Sequence, residues 1–222
     1  MAEQLTFDLP VRSALGREDF FVAPANAAAV DLIDRDWPGG RLVLIGPSGA
    51  GKTHLAQVWA GEHGATVIEG RGLAAQLGNL IGAAQAIVVE NIDRIAGARD
   101  DEEALFHLLN AQMGHGGQVL MTCAEPVAQL ALILPDLASR LSGAASAVLN
   151  PPGDDLLAVL YVKLFSDRQL DVPADLIPYL VNRSERSFAS VRETVDRLDA
   201  TSLAERKPIT KRMAARVLDN RG

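Results

Sequence analysis

Between Gly46 and Thr53 the chain reads Gly-Pro-Ser-Gly-Ala-Gly-Lys-Thr. Glycines at 46, 49 and 51 let the backbone curl until successive N–H groups converge, and a lysine followed by a hydroxyl residue closes the run. Such a turn suits a chain of phosphates, with the N–H groups on the oxygens, Lys52 reaching the β and γ phosphates and the Thr53 hydroxyl offered to Mg²⁺. An apolar segment, Arg41 to Ile45, precedes the run, and helical spacing from Lys52 to Gly64 follows it. Strand, loop and helix in this order are the context that makes the pattern specific, and the helix N-terminus adds positive potential. The cofactor contacts expected are therefore Gly46, Pro47, Ser48, Gly49, Ala50, Gly51, Lys52 and Thr53, with ADP or ATP and Mg²⁺ as the cofactors.

A phosphate-transfer site of this kind also needs an acid at the end of a neighbouring strand, and Ile87-Val-Val-Glu90-Asn91 supplies one. Glu90 stands where Asp is usual, and it is expected to hold the magnesium shell together with Thr53. Asn91 occupies the next position, where a carboxylate commonly orients the attacking water. An amide accepts no proton there, so intrinsic hydrolysis is expected to be weak or absent. Thr122 closes another apolar run at a place where a hydroxyl can lie between the sheet and the γ-phosphate, although a strand-ending Thr needs no such role.

These groups need a frame to hold them. Short apolar runs at Arg41 to Ile45, Ala65 to Glu69, Ala86 to Val89 and Gln118 to Thr122 alternate with helical patterns at Lys52 to Gly64, Leu73 to Ile81 and Glu102 to Met113. Such alternation predicts an α/β core whose parallel sheet is covered on both faces. After Asn150-Pro151-Pro152-Gly153 the pattern is helical alone: Asp154, as a cap, to about Gln169, then Pro173 to Arg183, Ser190 to Leu203 and Thr210 to Leu218. The organisation expected is a tail over 1–17, a nucleotide-binding core over 18–150 and a small helical domain over 151–222.

The 222 residues are 48% hydrophobic with a net charge of −7 and a pI near 5.1. The charge is unevenly spread, with 9 basic and 17 acidic residues before Pro151 and 12 basic and 11 acidic from there on. Neither part is a polycation, which argues against a duplex-DNA binder. One cysteine, Cys123, forms no intramolecular disulfide, which fits a reducing cytoplasm. No signal peptide or membrane span is expected, because the start carries Glu3 and Asp8 and the uncharged stretch from Gly72 to Val89 is broken by Gln76, Gly78, Asn79, Gly82 and Gln85.

With the glycine-rich loop, Glu90-Asn91, Leu134-Pro-Asp-Leu-Ala-Ser-Arg140-Leu141 and Ser190-Val-Arg192 in this order, the chain resembles the AAA+ ATPases of the bacterial replication initiator DnaA family over about residues 18 to 220. Within that family it looks most like the regulatory inactivators related to the initiator. The resemblance implies an AAA+ core followed by an all-helical lid. It implies that Arg140 is an arginine finger projecting into a nucleotide site on another subunit, and that Arg192, on the third lid helix, reaches the phosphates of its own. Phe20 to Asn26 resembles the stretch that closes over adenine. Gln4, Leu5, Phe7 and Leu9 resemble a peptide that binds the β-subunit sliding clamp of DNA polymerase, although Asp8 stands where an aromatic is often found.

The implied activity is negative regulation of initiation, in which a clamp-tethered protein stimulates ATP hydrolysis by DnaA in trans. Initiators of the family continue past the lid into a helix-turn-helix, which the last residues here are too few to form, so no sequence-specific DNA binding is expected; a homodimer is possible on this reading. The alternative is an autonomous AAA+ ATPase that loads a helicase or assists transposition, for which 5% aromatic residues and an acidic core are a poor match. A third reading is an adaptor that recruits DnaA without supplying Arg140.

Overall fold

The computed structural model describes Val22, residues 26–82 and residues 85–219. The proposed tail, with Gln4, Leu5, Phe7 and Leu9, lies outside the described residues, as does most of Phe20 to Asn26. Among the described residues, five strands form one sheet: β1 (Arg41–Ile45), β2 (Thr66–Glu69), β3 (Ala86–Glu90), β4 (Gln118–Cys123) and β5 (Ala145–Val148). Their order is β2-β3-β4-β1-β5, and every pairing is parallel. Four of these strands match the apolar runs in the sequence. β5 does not read as a strand, because Ala-Ser-Ala-Val is short and weakly apolar and is placed by pairing Leu42 with Ala145 and Ile45 with Val148.

The period of two along each strand divides the core into two layers. Val43, Ile45, Ile87, Val89, Val119 and Met121 point to one face, against α3 (Leu73–Leu80), α4 (Arg99–His115) and α5 (Pro135–Ser142). Leu42, Leu44, Ala86, Val88 and Leu120 point to the other, against α1 (Ala27–Ile33), Trp37 and α2 (Lys52–His63). Residues 42–44 are almost wholly buried, which explains why β1 reads as a continuous apolar run rather than an alternating one.

The remaining helices, α6 (Asp154–Asp167), α7 (Leu176–Val181), α8 (Phe188–Glu205) and α9 (Lys211–Asp219), close around their own core of Leu157, Tyr161, Leu180, Val195 and Ala214. Their starts differ from the sequence expectations in three places. Asp154 is the first residue of α6 and not its cap; Gly153 precedes it and the Asp154 carboxylate pairs with Arg186 at 2.8 Å. Pro178 falls in the first turn of α7, where a missing N–H costs no helix bond, so the helix starts late at Leu176. Ser187 caps α8, accepting from the Ser190 N–H, and the helix begins two residues before Ser190.

One buried acid governs where α5 lies. Glu102, fully buried in the first turn of α4, accepts hydrogen bonds from the backbone N–H groups of Gly97, Ile133 and Leu134 at 2.8–3.0 Å. Ile133 and Leu134 are the residues that lead into α5, so this carboxylate fastens that helix to α4. Glu102→Gln replaces one acceptor oxygen by a donor facing N–H groups, so a loss of about 1–3 kcal/mol is expected in urea denaturation. Unchanged stability would show that those N–H groups do not depend on it.

Candidate functional site

The carboxyl ends of parallel strands are where an open α/β sheet leaves room for a ligand. There, β1 passes into the glycine-rich loop and α2 begins at Lys52. Gly49 and Gly51 hold φ of +79° and +95°, the left-handed region that favours glycine. Gly46 answers a different demand, since a Cβ there would lie 2.3 Å from the Leu149 carbonyl oxygen. Ser48, Gly49, Gly51, Lys52 and Thr53 line a cavity of about 810 Å³, within the range that holds a small ligand or cofactor. Ala50 instead packs into the core beneath the loop.

Lys52 is 9% exposed, and its ammonium donates to the carbonyls of Gly46 at 2.6 Å and Pro47 at 3.0 Å. A buried cation needs such oxygens, and here the loop supplies them. Burial lowers the Lys52 pKa, while the charges of Asp93 and Glu90 act in the opposite direction. Burial pushes the Cys123 thiol up to about 11, so this fully buried residue remains a thiol and contributes no nucleophile.

Glu90, 5% exposed, ties three elements together. Its Oε2 accepts from the Thr53 hydroxyl at 3.0 Å and from the Thr122 hydroxyl at 2.8 Å, and Thr122 in turn accepts from the Asn91 N–H at 2.8 Å. Thr122 therefore spends its hydroxyl on orienting the acid. It is fully buried, and its donor goes to Glu90 and not to a phosphate. Oε1 of Glu90 is buried without a hydrogen bond. A desolvated carboxylate oxygen lacking a donor, beside a threonine hydroxyl and a phosphate cradle, fits the water shell of a divalent cation. The residues present thus suit Mg²⁺ with a nucleoside polyphosphate.

Asn91 lines the same cavity, with φ of +57°, and its amide donates to both carboxylate oxygens of Glu69 at 3.1 Å. This pairing brings the ends of β2 and β3 together. It fixes the amide as a donor toward Glu69, so Asn91 has no basic group to take a proton from water.

The lid closes the cavity from above. Phe188, Ala189, Arg192, Glu193, Asp196, Arg197 and Ala200 line it, and their spacing marks one face of α8. Val191, Thr194, Val195 and Leu198 are buried on the opposite face. The Phe188 N–H donates to the Gly49 carbonyl at 3.3 Å, and a Cβ on Gly49 would lie 2.2 Å from Cβ of Ser187. One turn further along, Arg192 faces the cavity without an ion pair to any described carboxylate, whereas Arg197 is 3.8 Å from Glu193. Sequence reasoning missed Asp93, Arg94, Phe188 and Arg197 as cavity residues. Only Phe188 carried a detectable signal, four residues before Arg192 on the same helical face.

Arg140 is elsewhere. It sits in the last turn of α5, with Nη1 3.5 Å from the Met113 sulfur and the guanidinium 5.7 Å from the centre of the Phe106 ring. No described carboxylate pairs with it, and it does not line the cavity. α5 leads into the start of β5, and Arg140 acts electrostatically on Arg41, the first residue of β1. The loop lies at the other end of β1, about 13 Å of strand away.

Comparison with known proteins agrees with this geometry. Residues 159–217 match the family model described as Hda, lid domain. Domain III of the replication initiation protein DnaA from Thermotoga maritima superposes with a TM-score of 0.83 at 18% identity, over 96% of this chain and 98% of that one. AMPPCP-bound DnaA from Aquifex aeolicus gives 0.71 at 15% identity, over 85% of this chain and 68% of that one. The Thermotoga maritima RuvB Holliday junction branch migration motor gives 0.65 at 17% identity, over 81% and 61%. At these identities the structures establish the fold alone, a parallel α/β core followed by a helical lid. Among the described residues no helix is long and apolar enough to cross a membrane.

Gly49→Ala adds a methyl group at a left-handed φ and against Ser187. A stability loss of about 1–2 kcal/mol is expected from the backbone alone, together with weaker binding of a fluorescent nucleotide. Wild-type melting and affinity would mean that the loop and lid adjust freely.

Proposed function

We propose, from the premise that this chain is an Hda-like, DnaA-related AAA+ protein, that it restrains replication initiation by stimulating hydrolysis of ATP held by DnaA. One observation carries this reading. Arg140, which pairs with no described carboxylate, stands at the opposite end of the sheet from the chain's own phosphate cradle, so a phosphate that it touches belongs to another molecule. A guanidinium beside the γ-phosphate offsets the charge that develops during transfer, and supplying it from a second protein makes hydrolysis conditional on assembly.

The chain's own site takes a different part. The loop from Gly46 to Thr53 would hold the phosphates of ADP or ATP, Lys52 would turn to them from its carbonyl partners, and Thr53 and Glu90 would hold Mg²⁺. Arg192 joins lid to phosphate. Bound nucleotide orders core and lid as one body, and intrinsic turnover is slow because Asn91, pinned to Glu69, offers no base. When bound, the metal supplies charge neutralisation between phosphates. Gln4, Leu5, Phe7 and Leu9 hold the protein on the sliding clamp, which raises its effective concentration near DnaA on the same DNA. The site of action is the cytoplasm.

The decisive measurement follows ATP bound to DnaA, with and without this protein and clamp loaded on DNA. Arg140→Ala should reduce the stimulated rate by about 10³-fold or more while clamp binding is retained; full stimulation by this variant would remove the trans role. In surface-binding measurements, Gln4→Ala with Phe7→Ala should weaken clamp affinity by tenfold or more, about 1.4 kcal/mol. Equal affinity would leave the leading peptide without that function.

A further inference from the structure

Arg41 begins β1 at the sheet end where Arg140 lies, and its environment is unusual for a cation. Its Nε and Nη1 atoms are buried and have no hydrogen-bond partner. No described carboxylate pairs with it, and Arg140 is likewise without one. Burial first, and the positive charge of Arg140 second, lower the Arg41 guanidinium from its ordinary value. Gly39, at φ +62°, makes room for the group, since a Cβ there would lie 2.8 Å from Nη2.

Several other cations of the fold are paired. Arg99 meets Glu103, Arg168 meets Asp196, Arg186 meets Asp154 and Arg216 meets Glu205. Carboxylates are plentiful before Pro151, with 17 against 9 basic residues, yet no described one pairs with Arg41 or Arg140. A desolvated cation next to a like charge is costly unless something compensates it. A phosphate chain has the charge to do so.

We propose that Arg41 and Arg140 together form a two-cation receptor for the phosphates of a nucleotide presented by another molecule. Arg140 touches the terminal phosphate, and Arg41 stands behind it as a positioning charge that raises the potential at its tip. This rests on the reading of Arg140 given above and adds a second residue to it. Met113 and Phe106 hold the guanidinium of Arg140 against α4, so its charge meets the incoming anion without first having to order a free side chain.

The test uses the full chain with ATP-loaded DnaA and clamp on DNA, in single-turnover hydrolysis. Arg41→Met keeps the stem and removes the charge; the maximal stimulated rate should fall by about tenfold or more, with the half-saturating concentration changed less than threefold. Arg41→Lys should recover most of the rate, which a packing role alone would not produce. The double variant Arg41→Met, Arg140→Ala should be no more than about twofold slower than Arg140→Ala, because groups acting as a unit are not additive. Melting and affinity for the chain's own nucleotide should match wild type in Arg41→Met. If that variant does not fold, the comparison of Arg41→Lys with Arg41→Gln decides in its place.

A wild-type rate for Arg41→Met, alongside lost stimulation for Arg140→Ala, overturns this inference alone. Full stimulation by Arg140→Ala overturns the reading beneath it. Loss of DNA retention by Arg41→Met with an unchanged hydrolysis rate would assign Arg41 to nucleic acid and overturn the receptor.

Discussion

Every strand in the sheet runs in the same direction, and this polarity constrains the whole molecule. Parallel strands deliver all their carboxyl ends to one edge, so the loop after β1, Glu90 at the end of β3 and Thr122 near the end of β4 converge there. The opposite edge collects the amino ends, including Arg41, with Arg140 on the helix that leads into β5. A chain built this way has two chemically different ends. One carries the glycine-rich loop and the other carries Arg41 and Arg140, and the length of the strands keeps the two apart within a single molecule.

The Glu90 carboxylate makes the first of these ends a unit. By accepting from both Thr53 and Thr122 it couples α2 to β4 across β3, and the Thr122 link to the Asn91 backbone sets the turn that follows. Glu102 does comparable work for the second end, since it anchors the entrance to α5 and thereby fixes where Arg140 emerges. Each is a buried acid whose hydrogen bonds cross between elements far apart in sequence.

Between core and lid, the contact of Phe188 and Ser187 with Gly49 relates the curl of the loop to the angle of α8. Arg192 sits one turn beyond Phe188, so the helix that touches the loop also carries the arginine facing the cavity. A bound phosphate chain touching both would favour the closed arrangement by its differential contacts, as any conformational coupling requires.

The local pattern was sufficient for the cradle, the alternation of strands and helices, and the helical character of residues beyond Gly153, because each depends on contacts between near neighbours. Glycine spacing sets a loop, a period of two a strand and a period of 3.6 a helix. It also singled out Glu90, Asn91 and Arg192 as candidates, by their order after the loop and by resemblance. The tertiary structure alone decided the rest. β5 exists because β1 offers it an edge; Thr122 serves Glu90 because two strands lie side by side; Asn91 meets Glu69 because β2 and β3 end together. That no described carboxylate pairs with Arg41 or Arg140 belongs to the same class, since whether a cation has a partner depends on carboxylates brought from anywhere in the chain. Local periodicity is written in consecutive residues, whereas pairing between distant ones exists only after the chain has folded.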